Sequence, residues 1–287
     1  MDKMDKQEGY LLPIKSAKRC NAVHGWYWIN EGFRYFFQAK YTWFLSLFLV
    51  LFAMTTLIYV LPFSQLFMVF IFPFFVAGYS MACFDMERGI KMDVRSVVKA
   101  FGSANKLNIL RYGFWLILLM VIAQMLASIF LSAVGIPQEQ VASELTALKE
   151  NSSASWQSIF DSVVLSKFLF VTLLTLLPVA AINLFAPVVL AFSNFTAFEA
   201  IKLSLNASMK NISALLVYAV TYLVFIGLAV IALKGLNMIF LSMSAAQSVL
   251  ASLINLFFLF AFVLLFSALT YCSAYVAFKD VFLGEEI

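Results

Sequence analysis

Six apolar runs, each long enough to cross a bilayer, constrain this chain more than any other feature. A helix of about 20 residues spans roughly 30 Å of hydrocarbon. Runs of that length lie near Tyr41 to Leu61, Ser64 to Phe84, Tyr112 to Val134, Val163 to Phe192, Ser213 to Leu233 and Val249 to Phe278. Lipid offers backbone groups no hydrogen-bond partners, so each run must be helical and the chain an all-α polytopic membrane protein. Only Pro62 and Phe63 separate the first two runs, which makes them a tight helical hairpin; the alternative is one 44-residue helix, longer than a bilayer needs.

The rest of the chain is too short for a second, soluble domain, since 63% of the 287 residues are hydrophobic and only 12% are charged. The first 40 residues carry eleven charges and no apolar core of the signal-peptide kind, so no cleaved leader is expected.

Orientation follows from the basic residues. Sixteen of the 19 fall on one side, from Lys3 to Lys40, from Arg88 to Arg111, and at Lys202, Lys210 and Lys279; only Lys149, Lys167 and Lys234 fall on the other. The positive-inside rule then puts both termini in the cytoplasm. The basic collar favours anionic headgroups, so membrane lipids are the expected partners. No basic run with interleaved aromatics stands clear of the membrane, so nucleic acid is not an expected partner. Cys20, Cys83 and Cys272 lie at or near cytoplasmic helix ends without a Cys-x-x-Cys spacing, which fits reduced, structural thiols.

Three amphipathic stretches precede the outward runs. In the first, within His24 to Trp43, a helical projection puts Trp26, Trp28, Ile29, Phe33, Phe36, Phe37 and Ala39 on one half. Tyr27, Asn30, Glu31, Arg34, Tyr35 and Gln38 fall on the other, and Lys40 alone breaks the split. Such a helix lies in the membrane interface with its aromatic face in lipid or against other helices. The second is Asp93 to Leu107, with Val94, Val97, Val98, Phe101 and Ala104 opposite Arg95, Ser96, Lys99, Ser103 and Lys106, and with Asp93 as N-cap. The third is Phe198 to Lys210, with Phe198, Ile201, Leu205 and Met209 opposite Glu199, Asn206 and Lys210.

The chain therefore parses into three units of interfacial helix, outward span and inward span, roughly 24–84, 93–192 and 198–280. Pro73 and Pro178 stand near the midpoints of two inward spans, and Lys40, Lys106 and Lys210 each close an interfacial helix. Every unit starts on the same side, so the units would be parallel repeats about an axis along the membrane normal. Residues 1–23 form a polar cytoplasmic tail, ordered only where a partner or the membrane surface holds it, and 281–287 form a short C-terminal tail.

Gly25, Trp26, Trp28, Ile29, Glu31, Gly32, Phe33 and Arg34, then Asp85, Arg88 and Gly89, and finally Ala277 to Phe282, resemble the BPSS-type family of uncharacterised bacterial inner-membrane proteins. The six-helix pattern and the stretch Ala200 to Asn211 are similar to the membrane domain carried by some glycerophosphodiester phosphodiesterases, whose catalytic domain this sequence lacks. The resemblance implies a multi-pass inner-membrane protein and supplies no catalytic residue.

Chemistry has few candidates. His24 is the only histidine, where a helix-start or headgroup contact is the simplest role, and no group of His, Cys and carboxylates clusters along the sequence as a metal site requires. Phosphate loops, nucleophile elbows and His-Glu-x-x-His patterns are absent. No cofactor is expected. Inside the fourth run, Lys167 lies a turn from the outer end with Asp161 nearby, and snorkelling competes with an internal ion pair as its role. Pro178, Asn183 and Pro187 divide that same run, freeing carbonyls that need partners or a hydrated cavity, either as a substrate site or as a packing kink. Gln124, Asn183, Asn237 and Asn255 are candidates for lining a path or for bonding between helices. In the outer loop from Gly135 to Ser162, Pro137 opens a short helix carrying Val141, Leu145 and Leu148, and Trp156 rests at the interface.

The leading expectation is a non-enzymatic scaffold or assembly factor of the envelope that binds lipid, with another inner-membrane protein as the second candidate partner. Its contact residues are Trp26, Trp28, Phe33, Arg34, Phe36, Phe101, Lys106 and Lys210. The alternative is a transporter or channel for a lipid-like or small amphipathic solute, working through the space near Pro73, Lys167, Pro178, Asn183 and Pro187. An intramembrane enzyme stands third.

Overall fold

The computed structural model describes residues 10–60, 64–150, 162–240 and 245–284, and the regular structure among them is all helical, with no strand. Six long helices, α2 (Lys40–Val60), α3 (Ser64–Glu87), α4 (Lys106–Ala133), α6 (Val163–Ala191), α8 (Ile212–Phe240) and α9 (Ala245–Phe278), are long and apolar enough to cross a membrane. Shorter elements join them: α1 (His24–Gln38), a 3₁₀ helix (Val94–Gly102), α5 (Gln138–Glu150) and α7 (Ala197–Lys210), with a π turn (Lys279–Leu283) closing the chain. The protein is a multi-pass, all-α membrane protein.

The three returning spans α3, α6 and α9 touch one another at the middle of the bundle, and α3 is the most enclosed of the six. Around them the short helices pack in a ring. The 3₁₀ helix lies chiefly on α3, α7 on α6, and α1 on α9, so each rests on the returning span of the preceding unit and the first closes onto the last. Two glycines make the closest approaches possible. A β-carbon on Gly25 would fall 2.0 Å from the Ala214 carbonyl oxygen of α8, and one on Gly78 of α3 would fall 2.1 Å from the Val97 carbonyl oxygen. The outward spans are looser. Although joined by a short connection, α2 and α3 touch little, and α2 leans on α9 and the 3₁₀ helix instead.

The faces these short helices bury correct the helical projections in three places. In α1, Trp28, Ile29 and Phe36 are fully enclosed against α8 and α9, so Trp28 and Phe36 serve the core rather than lipid. Tyr35, assigned to the polar half, is buried too, its ring edge-on to Tyr275 at 5.8 Å. Trp26 and Phe37 keep their outward exposure. The second stretch is a nine-residue 3₁₀ helix instead of an α-helix reaching Leu107. Asp93 and Ser96 form a reciprocal capping box at its start, Ser103 turns extended at its end, and Lys106 consequently opens α4 instead of closing the interfacial helix. In α7 the packed stripe is Ala197, Ala200, Ile201, Ser204, Ala207 and Ser208, whereas Phe198, Leu205 and Met209 point away from the bundle. Small side chains let α7 approach α6 closely, and the large apolar ones are left for the surroundings.

The segment before α1 is held by its own chain. The Leu12 amide bonds the Phe192 carbonyl at 2.9 Å, that of Lys15 bonds Phe282 at 3.0 Å, and that of Lys18 bonds Val281 at 2.8 Å. Residues 10–23 thus form a strap across one end of the bundle and need no partner to be ordered there. At the opposite end, α5 tucks Val141 against Leu131, Ile136 and Leu165.

Candidate functional site

Because α2 stands away from α3, a pocket of about 580 Å³ opens within the bundle between α2, α3, α4, α6 and α9. Its wall is apolar and rich in flexible side chains, including Met54, Met68, Met120, Phe72 and Leu116. The polar groups lining it are Asn183, Ser267 and Tyr271, and no charged residue does so. Such a lining rejects ions and strongly charged solutes, because a charge there would be desolvated without a counter-charge. It suits an apolar chain or ring bearing a small hydrogen-bonding group, in a volume ordinary for small-molecule sites.

Asn183 is held in place at this wall by the Tyr112 hydroxyl of α4, which donates to its Oδ1 at 3.0 Å. The prolines of α6 act on the same region. Pro187 has no amide to bond the carbonyl of Asn183, four residues earlier, and Pro178 likewise leaves the carbonyl of Leu174 without its helical donor. The helix nevertheless runs continuously from Val163 to Ala191. Pro187 and Pro73 are buried and Pro178 is exposed; none of the three lines the pocket, although Phe72 beside Pro73, and Val179 and Ala180 beside Pro178, do. Lys167 is exposed near the far end of α6, as a snorkelling side chain would be, while Asp161 and Trp156 lie outside the described residues. Of the other amides, Gln124 is exposed on α4 and Asn255 half-buried on α9, neither lining the pocket; the side chain of Asn237 lies outside the described residues.

The termini-bearing end of the bundle holds a second concentration of polar groups that sequence reasoning missed. Asp280 is 1% exposed, yet its Oδ2 lies 2.6 Å from His24 Nδ1 and accepts the Trp28 indole N–H at 2.8 Å. Lys18 Nζ stands 3.9 Å from Oδ1. Cys20 completes the surroundings. Burial first, and then the neighbouring Asp280 charge, push its thiol up to about 12. The sulfur of Cys20, the imidazole of His24 and the carboxylate of Asp280 come within 4.8 Å of one another, a donor set of transition-metal type.

The same acid position occurs once more. Ala277-x-x-Asp280 followed by Gly284 at φ 66° matches Ala82-x-x-Asp85 followed by Gly89 at φ 77°. Asp85 is also buried, and Lys99 of the 3₁₀ helix and the Tyr10 hydroxyl bond it. A buried acid at the end of a returning span, fastened to the interfacial helix that lies on it, is therefore one structural device used twice. The spacing Ala-x-x-Asp-x-x-x-Gly was the signal available in the sequence.

The remaining contact candidates are spread around this end. Arg34 is exposed and pairs with Glu31 at 2.8 Å; Phe33 is half-buried, edge-on to Phe225; Phe101 stacks on Phe74 at 4.4 Å. Lys210 is exposed but donates to the Ala17 carbonyl at 3.3 Å, which ties α7 to the strap. The contact residues and the intramembrane pocket are thus separate places. No family model, curated protein or solved structure matches this chain.

Proposed function

We propose that this protein binds a lipid-like amphiphile between its membrane spans, and that it does so without catalysing a reaction. The observation that carries the reading is the uncharged 580 Å³ pocket beside Asn183, open where α2 stands away from α3. Its methionines and aromatic side chains adapt to a chain of variable shape, and Asn183, Ser267 and Tyr271 offer the few hydrogen bonds that fix a small head. Transfer of such a molecule across or along the bilayer is the transport form of this reading. The scaffold form draws on Trp26, Phe37 and the outward residues of α7, but burial of Trp28 and Phe36 leaves it less aromatic surface.

We further place the protein in the bacterial inner membrane, as a relative of the BPSS-type family, with both termini cytoplasmic. The support is the sequence resemblance and the positive-inside rule, by which the order of the spans in the sequence assigns sixteen of the 19 basic residues to one side.

The test is lipid analysis of the full chain purified in mild detergent. Native mass spectrometry should find an amphiphile retained by the wild type and lost from Ala180→Phe, which fills the pocket, with weaker retention in Asn183→Leu. Equal retention by Ala180→Phe and the wild type would sink the proposal.

A further inference from the structure

Among the described residues the ring of short helices has three junctions where an interfacial helix passes into an outward span, and two of them are fastened by the side chain at the junction. Ala39, Asn105 and Asn211 each immediately precede the span (α2, α4 and α8) and each leaves the helical conformation, with φ,ψ of −140°,35°, −93°,13° and −113°,25°. The Asn105 amide donates to the carbonyls of Leu190, Ser193 and Phe195, the turn that leads into α7. Asn211 donates to the Lys18 carbonyl at 2.9 Å and accepts the Cys20 amide at 2.6 Å, in the strap that leads into α1. Each asparagine thus clasps the segment entering the next interfacial helix. At the third junction the residue is Ala39, and the segment facing it, Gly89 to Met92, leads into the 3₁₀ helix. A methyl group cannot bridge that gap, and an open groove of about 470 Å³ remains.

What lines this groove indicates what fills it. Lys40 and Lys91, both exposed, stand on opposite walls with Gln38 and Thr42. An exposed apolar stripe starts at its rim and continues down one face of α2, through Tyr41 (79% exposed), Leu45, Phe48 and Phe52 (64%). Two cations at the head of a span and an apolar track descending from them match a molecule with a phosphate head and long chains. We propose that the open junction at Ala39 is a headgroup site for an anionic phospholipid, seated between Lys40 and Lys91 with its chains along α2. The site is distinct from the uncharged pocket inside the bundle, and the inference stands whether or not that pocket holds an amphiphile.

The experiment compares lipid retained by the full chain reconstituted in nanodiscs of phosphatidylcholine with and without phosphatidylglycerol. Native mass spectrometry after release should show bound phosphatidylglycerol on the wild type. In Lys40→Gln with Lys91→Gln its affinity should fall about tenfold or more, given the usual contribution of each surface cation. Ala39→Asn installs the missing clasp and should displace the lipid while leaving both lysines in place. Arg111→Gln with Lys202→Gln, exposed and outside the groove, should change little. Undiminished retention in Ala39→Asn, an equal fall in the Arg111 and Lys202 pair, or displacement by inorganic phosphate alone would each overturn the proposal.

Discussion

A single side chain can hold two distant parts of this chain together, and Asn211 is the clearest instance. It is fully buried, and its amide bonds Lys18 and Cys20, which lie more than 190 residues earlier in the sequence. Replacing it with alanine leaves a buried amide N–H and a carbonyl unsatisfied, a loss of about 2 kcal/mol or more. Asn211→Ala should lower the thermal midpoint in detergent and speed proteolytic cleavage within residues 10–23; a variant as stable and as protected as the wild type would refute this role. The sequence did not disclose it, because an asparagine at a span boundary is compatible with an exposed end. Trp28 was legible as apolar but not as a donor to Asp280, since a partner 252 positions away leaves no local pattern.

At the scale of elements, hydropathy placed every end of the six spans to within seven residues, because the bilayer imposes a minimum length and an apolar composition on all of them. It was less informative for the short helices. In α7 the stripe that packs is made of alanine and serine, which a hydropathy projection ranks below Phe198 and Leu205. In the second stretch, apolar residues three apart serve a 3₁₀ helix as well as an α-helix, and the capping box with the extended Ser103 decides between them. The strap of residues 10–23 was unreadable as structure because its hydrogen bonds are to the far end of the chain. Its pH response follows from Cys20. The thiol ionises from its ordinary value of 9.0 when released but only at about 12 in the fold. The stabilisation is therefore complete below about pH 9 and declines as pH rises toward about 12. Tyr10, raised chiefly by burial and then by the Asp85 charge, acts in the same direction. Hydrogen exchange in the strap should accelerate across that alkaline window, and Cys20→Ser should reduce the effect; a flat profile would exclude the linkage.

For the whole molecule, the ring of contacts has a consequence for synthesis. Of the described helices the earliest in the chain, α1, rests on the two latest spans, α8 and α9. Until those spans enter the membrane, Trp28 and Ile29 lack the protein surface that encloses them, and α1 must wait at the lipid boundary while some two hundred further residues are made. A photo-crosslinking residue at position 29 should capture lipid in nascent chains stalled before Ile212, and should capture α8 or α9 once the chain extends past Phe282. Protein adducts at the earlier stage would mean that α1 finds another cover first. On this order of events the bonds from Asp280 to His24 and Trp28 form only after α9 has been made, so the docking of α1 reports on a span made more than two hundred residues later.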